Sequence, residues 1–318
     1  MSILETLPND SVLFINYDQQ WTSIRYMQEC EGIRKDVTSI NLSMMSYDWW
    51  SSKHHHYPHI NFPGSRYTQS SGGFNFSRLL DSNNAFNGKA FIGGNLSFRD
   101  ESYLRRYDEI PHGMVRRIIK KRKDRDSTVE SYRRESNKIW QVIAKEHSTG
   151  LPPLRQYGPE TWEWTIRREF FEHFMSRSSH LLDLALTSES TSDRSKLKSI
   201  VEGGAWLDAA RLNDDIANDS HALWKNLGLA YMNIVRNSET TFPTIRNLFN
   251  NTENSFIMES IDDAWWNKDP SIDWKQWSSS QWEKTWGHFL GMEKAKNDPS
   301  YEQVKAIYDQ VLTSVGRR

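Results

Sequence analysis

The sequence predicts an α/β N-terminal domain, Rossmann-like with a partly parallel sheet, followed by an all-α domain of tetratricopeptide-like (TPR-like) helical hairpins. Three observations predict it. Short apolar runs alternate with helix-like stretches up to about residue 120. From about residue 127 strand signals stop and helical periodicity takes over. Within that second part, Trp224-Lys225-Asn226-Leu227-Gly228-Leu229-Ala230-Tyr231 fits the first-helix pattern of a tetratricopeptide repeat, W-x2-L-G-x2-Y. The boundaries read as 1–120 for the α/β domain, 121–158 for a basic linker and connecting helix, and 159–318 for the helical domain.

The elements follow in order. Val12–Ile15 is a short buried-strand run. Trp21, Ile24, Tyr26, Met27 and Cys30 recur at helical spacing, Cys30 reads as buried mid-helix, and Gly32 suits a helix stop. Val37–Leu42 is the second strand. Asn61–Tyr67 and Ser70–Gly73 carry loop signals. Phe76–Leu80 is a short helix, Lys89–Ile92 the third strand, Ile110–Gly113 a turn and Met114–Ile119 the fourth strand. Arg116, Arg117, Lys120, Lys121, Arg122, Lys123 and Arg125 then mark a domain edge. They read as a solvated linker face, with a nuclear-localisation or RNA-binding segment as the other reading.

Beyond it, Gly158-Pro159-Glu160-Thr161 opens a helix with Pro159 in its first turn. Trp162, Ile166, Phe170, Phe174, Leu181 and Leu184 form its apolar stripe. Ala205–Ala217 and Ala222–Val235 are further helices. Thr240 and Thr244 stand where the repeat's second helix needs small and aromatic residues, so the hairpin is degenerate. Trp282–Ala295 and Pro299–Leu312 form another pair, with Asp298 as N-cap.

Composition excludes several classes. Forty basic residues against 41 acidic ones give a net charge of −1, unlike a general nucleic-acid binder. With one cysteine, Cys30, the fold cannot rest on an intrachain disulfide. Met1–Asn9 shows no signal peptide, and no run reaches the roughly 18 apolar residues of a membrane helix. The apolar share is 37 %, so the 14 Trp, 14 Phe and 12 Tyr must supply much of the buried area.

No residue pattern assigns a catalytic group, a metal or a cofactor. His54-His55-His56 with His59 has no cysteine near it and reads as an exposed polar turn, not a zinc site. No G-x-G-x-x-G follows the first strand, and no P-loop, G-x-S-x-G or H-E-x-x-H is present. Asp18, Arg25, Glu31, Arg34 and Asp36 surround the first strand–helix–strand unit. Asp18 falls just past the first strand's carboxyl end, where open α/β sheets bind ligands. The set is therefore either a ligand site or a structural motif in which Asp18 caps the helix and Arg34 pairs with Glu31 or Asp36. Trp265, Trp266, Trp274, Trp277, Trp282 and Trp286 read mainly as core. Of the glycosylation sequons, the one at Asn41 lies in a buried strand, where a glycan does not fit.

The opening block also carries a resemblance. Its pieces are Asp18, Arg25-Tyr26, Gln28, Cys30-Glu31-Gly32, Arg34 and Asp36-Val37, then Met44-Met45, Tyr47 and Trp49. Phe62-Pro63-Gly64 with Arg66-Tyr67, Arg106-Tyr107 with Ile110-Pro111-His112-Gly113, and Thr161-Trp162-Glu163 follow in order. This resembles the soluble C-terminal region of the transmembrane protein 260 family, the multi-spanning protein O-mannosyltransferases of the endoplasmic reticulum. Lys35 departs from the family's usual Pro, and Tyr17 from its common Gly. The resemblance implies a lipid-linked mannose donor, Ser or Thr acceptors on folded domains, and catalysis in a membrane-embedded half. That half is not found in this chain. The chain is then expected to be a luminal accessory or substrate-recognition region. Its partners would be the membrane-embedded portion and an acceptor protein on the helical domain. The alternative is a stand-alone interaction protein that keeps the fold without transferase activity.

Overall fold

Strand β1 (Val12–Ile15) is the centre of the first part of the molecule, because all four of its residues are apolar and buried. A strand buried on both faces must be covered on both, and its neighbours do this. The computed structural model describes residues 2–68, 71–94, 100–121, 129–147, 157–187, 193–213, 215–236 and 273–314. The chain divides into two compact units, residues 1–126 and 127–318.

In the first unit, β2 (Thr38–Asn41) and β3 (Ala90–Gly93) flank β1 in parallel, with Phe14 opposite both Ile40 and Ile92. Strands β5 (Val115–Lys120) and β4 (Tyr107–His112) extend the sheet antiparallel, giving the order β2-β1-β3-β5-β4. One face packs Val12, Phe14, Ile40 and Ile92 under helix α1 (Phe76–Ser82) through Phe76, Leu79 and Leu80. The other packs Leu13, Ile15, Phe91 and Val115 under helix α2 (Asp18–Glu29) through Ile24, and under Leu4 and Leu7. The result is a mixed five-stranded sheet with helical cover on both faces.

Two expectations change here. The Ile110–His112 stretch belongs to strand β4, not to a turn. The chain reverses at Gly113 (φ +61°) and Met114, between the paired residues His112 and Val115. Pro111 is tolerated because β4 is the sheet's edge. Arg116, Arg117 and Lys120, expected on a solvated linker, are residues of β5. Arg117 donates to the Gly88 carbonyl at 2.8 Å. Arg122, Lys123 and Arg125 lie outside the described residues.

The second unit is helical: α3 (Val129–His147), α4 (Trp162–Thr187), α5 (Asp193–Asn213), α6 (Asp215–Asn218), α7 (His221–Arg236), α8 (Trp274–Gly291) and α9 (Tyr301–Ser314). Helix α4 starts later than expected. Pro159 precedes it, and Thr161 Oγ1 accepts from the Trp164 amide. Of its apolar stripe, Phe174, Leu181 and Leu184 are buried, but Trp162 is 57 % exposed. In the repeat-like segment, Gly228 on α7 faces the indole of Trp286 on α8. Trp282 and Trp286 are core, as read; Trp265, Trp266, Thr240 and Thr244 lie outside the described residues. Asp273 caps α8 by accepting from the Lys275 and Gln276 amides.

Candidate functional site

The structure places four of the five candidate residues at two opposite edges of the sheet and the fifth, Arg25, on the outer face of α2. Asp18 stands alone at the carboxyl edge of the parallel strands, exposed in the first turn of α2. It makes no side-chain cap, because Tyr17 holds the N-cap position. A carboxylate there is favoured by the helix dipole without any ligand. Around it the carboxyl edge is tied together from within. Ser43 donates to Asn16 at 2.8 Å, and the Asn41 side chain accepts from the Met44 amide. Arg116 donates to the Gly94 carbonyl and pairs with Glu109 at 3.1 Å. A buried carboxylate, Asp100, accepts from the Phe76 amide at 2.7 Å, the Ser102 amide at 2.9 Å and the Tyr67 hydroxyl at 3.2 Å. Sequence reasoning missed Glu109 and Arg116 as a pair, since only the antiparallel pairing of β4 with β5 brings them together.

Arg34 and Asp36 lie at the opposite, amino edge, with Glu31 exposed at the end of α2. Arg34 is the hub of a clasp. Its guanidinium grips Asp36 with two bonds of 2.9 and 2.8 Å, and donates to the carbonyls of Leu4 (2.6 Å), Leu7 (2.9 Å) and Pro8 (3.1 Å). Five guanidinium protons in a rigid fork suit this task. The hydrogen bond from Arg34 holds the Asp36 carboxyl down at about 2 and pushes the Arg34 guanidinium up. Gln28 completes the clasp. Buried, its amide donates to the carbonyls of Arg34 and Val37 and accepts from Ser39. Gly32 at φ +70° and Arg34 at φ +48° turn the chain between helix and strand. Arg25 is elsewhere, on the outer face of α2, paired with Glu29 at 2.5 Å and lying over the Trp21 ring.

Cys30 is exposed at the C-cap of α2, not buried within it. His54 stacks on Phe62, and burial pushes its pKa down; His59 bonds Thr38 at 2.7 Å. Among the described residues no group of three or more His, Cys, Asp or Glu side chains is placed to hold a metal.

The later pieces of the opening signature lie where neighbouring segments are tied together. Arg78 donates to the carbonyls of Gly73 and Pro63, closing the Phe62–Gly64 loop. Arg106 and the Tyr107 hydroxyl both bond Asp81, joining β4 to α1. His112 bonds the Thr6 carbonyl at 3.0 Å. In the helical unit, Glu202 is fully buried and accepts from Arg177 at 2.8 Å and Arg133 at 3.1 Å. Arg177 also bonds Ser136 and Asn137 and lies 4.2 Å from the Trp206 ring centre.

These features define a two-unit α/β-plus-helical scaffold whose signature side chains mostly fasten neighbouring segments to one another. Residues 1–58 match the family model of TMEM260-associated domain 2. The chain is 23 % identical over 192 residues to protein O-mannosyl-transferase TMEM260 of Mus musculus, covering 58 % of this chain and 26 % of the relative. It is 24 % identical over 206 residues to protein O-mannosyl-transferase tmem260 of Dictyostelium discoideum, covering 63 % of this chain and 24 % of the relative. The chain thus carries a TMEM260-family region, and its matched part spans about a quarter of these relatives' length. No solved structure matches it significantly. Among the described residues no helix is long and apolar enough to cross a membrane.

Proposed function

We propose that this chain is the luminal accessory region of a protein O-mannosyltransferase-like protein, presenting acceptor domains to a membrane-embedded catalytic portion. One observation carries the reading. In a region related to O-mannosyltransferases, three polar residues of the most specific string, Gln28, Arg34 and Asp36, are spent on backbone carbonyls and on each other. A string that encodes shape and not a reactive group fits a part that positions substrates. The helical unit offers the acceptor surface, in the manner of helical-hairpin arrays.

The test uses the purified chain, a lipid-linked mannose donor, a folded Ser/Thr-bearing acceptor domain, and membranes containing the full-length relative. Intact mass of the acceptor is read. The chain alone leaves the acceptor unmodified, and excess chain lowers its modification by the membranes by competing for it. Mannose added by the chain alone overturns the proposal, as does an excess of chain that changes nothing.

A further inference from the structure

We infer that the turn at residues 44–49 is a carbohydrate platform on the first unit, which takes a hexose ring on the stacked side chains of Tyr47 and Trp49. The segment sends its apolar residues two ways. Met45 and Trp50 are buried at 0 % and 2 % exposure, whereas Tyr47 and Trp49 between them are 55 % and 45 % exposed. The backbone holding them is fixed. The Tyr47 carbonyl accepts from the Trp50 amide at 3.1 Å, and the Met45 carbonyl from the Tyr67 amide at 2.7 Å. The two outward rings are parallel within 9°, with centres 5.7 Å apart. Rigid, paired aromatic rings facing water are a prepaid surface, since little conformational freedom remains to be lost on binding.

The charged pair at Asp48 decides the ligand. Asp48 lies between the two aromatics in sequence, its side chain 90 % exposed and ion-paired with Arg66. A pyranose offers one face of polarised C–H groups, which the negative face of an aromatic ring attracts. Its hydroxyls donate to a carboxylate and accept from a guanidinium in charge-assisted hydrogen bonds. A protein partner fits less well. Two half-exposed rings give on the order of 200 Å², against about 800 Å² per partner in a stable interface. The base of a nucleotide also stacks on such rings, so adenosine monophosphate is the contrasting probe. The inference does not depend on the accessory-region reading, because hexose binding at this turn and competition for acceptor domains are separate measurements.

The test is saturation-transfer NMR on the full chain with methyl α-D-mannopyranoside, with adenosine monophosphate as the contrasting probe. The sugar is expected to receive saturation at its ring protons, in the millimolar range. Trp49→Ala, at an exposed position, is expected to weaken it by about tenfold or more while leaving the melting temperature in place. Asp48→Asn, which keeps both rings, is expected to weaken it less. Absence of transfer to the sugar overturns the inference. So does transfer unchanged in both variants, or tighter binding of the nucleotide at the same residues.

Discussion

Replacing Gly228 by alanine tests the packing of the helical unit most directly. A Cβ at this position would lie 2.1 Å from Cδ1 and 2.3 Å from Nε1 of Trp286. Carbon atoms in contact sit about 3.5–4.0 Å apart, so the indole must retreat by more than 1 Å. It has little room, being 2 % exposed, and its Nε1 donates to the Lys225 carbonyl at 3.0 Å. Overpacking costs about 1–3 kcal/mol. Leaving the indole N–H and its carbonyl unpaired adds about 1–3 kcal/mol. Alanine's better helix propensity returns about 1 kcal/mol. The net destabilisation is about 1–5 kcal/mol, and for a unit of this size it lowers Tm by roughly 2–20 °C. Guanidinium unfolding followed by tryptophan fluorescence and thermal melts by circular dichroism both read it. Adding Trp286→Phe to the alanine variant should recover part of the loss, with a coupling above about 0.5 kcal/mol. If Gly228→Ala is neutral, or stabilises by the helix-propensity term alone, the two helices do not meet as described.

Three further outcomes are expected. Glu202→Gln leaves the buried Arg177 and Arg133 without their shared anion, and should cost about 3–5 kcal/mol in urea unfolding. The Asp36 carboxyl, held at about 2 by Arg34 against 3.8 ordinarily, stabilises the fold above pH 4 and ceases to do so as pH falls through 2. Glu130, likewise held at about 2 by the hydrogen bond from Arg133, behaves in the same way. Acid titration of stability should therefore fall steeply from about pH 4.5 to 2, and Asp36→Asn should flatten that limb; an unchanged limb would dismiss the clasp. Finally, Asn84, Ala85, Phe86 and Asn87 all take left-handed φ of 45–55°. Asn87 is exposed, so Asn87→Val should cost about 1–2 kcal/mol without any packing loss, while Asn87→Gly should cost nothing measurable.

The alternation of strand and helix, and the switch to all-helical sequence, were legible because buried strands and amphipathic helices write their periods into the chain. Strand β4 was hidden by Pro111, whose turn propensity is overridden by its place at a sheet edge. Trp162 and Ile166 shared the period of a buried stripe and yet face water, since the period states which residues share a helix face and not how far that face is covered. Among the candidate residues, the spacing offered Arg34 either Glu31 or Asp36 as a partner, and the structure takes Asp36. The grip of Arg34 on Leu4, Leu7 and Pro8 was not legible, since nothing local to Arg34 reveals which carbonyls return to it. Asp18 lies at the expected sheet edge, but its position alone does not create a pocket.

Arg34 also bears on how this family can diverge. The bonds it sends to the chain's opening segment all end on main-chain oxygens, which every amino acid possesses. Apart from the buried Leu4 and Leu7, and Ile3 packed against the same core, that segment is free to change its side chains while the arginine stays put. Distant kin would then share the bolt and show no likeness in what it fastens, so alignment alone would understate how far the common architecture reaches.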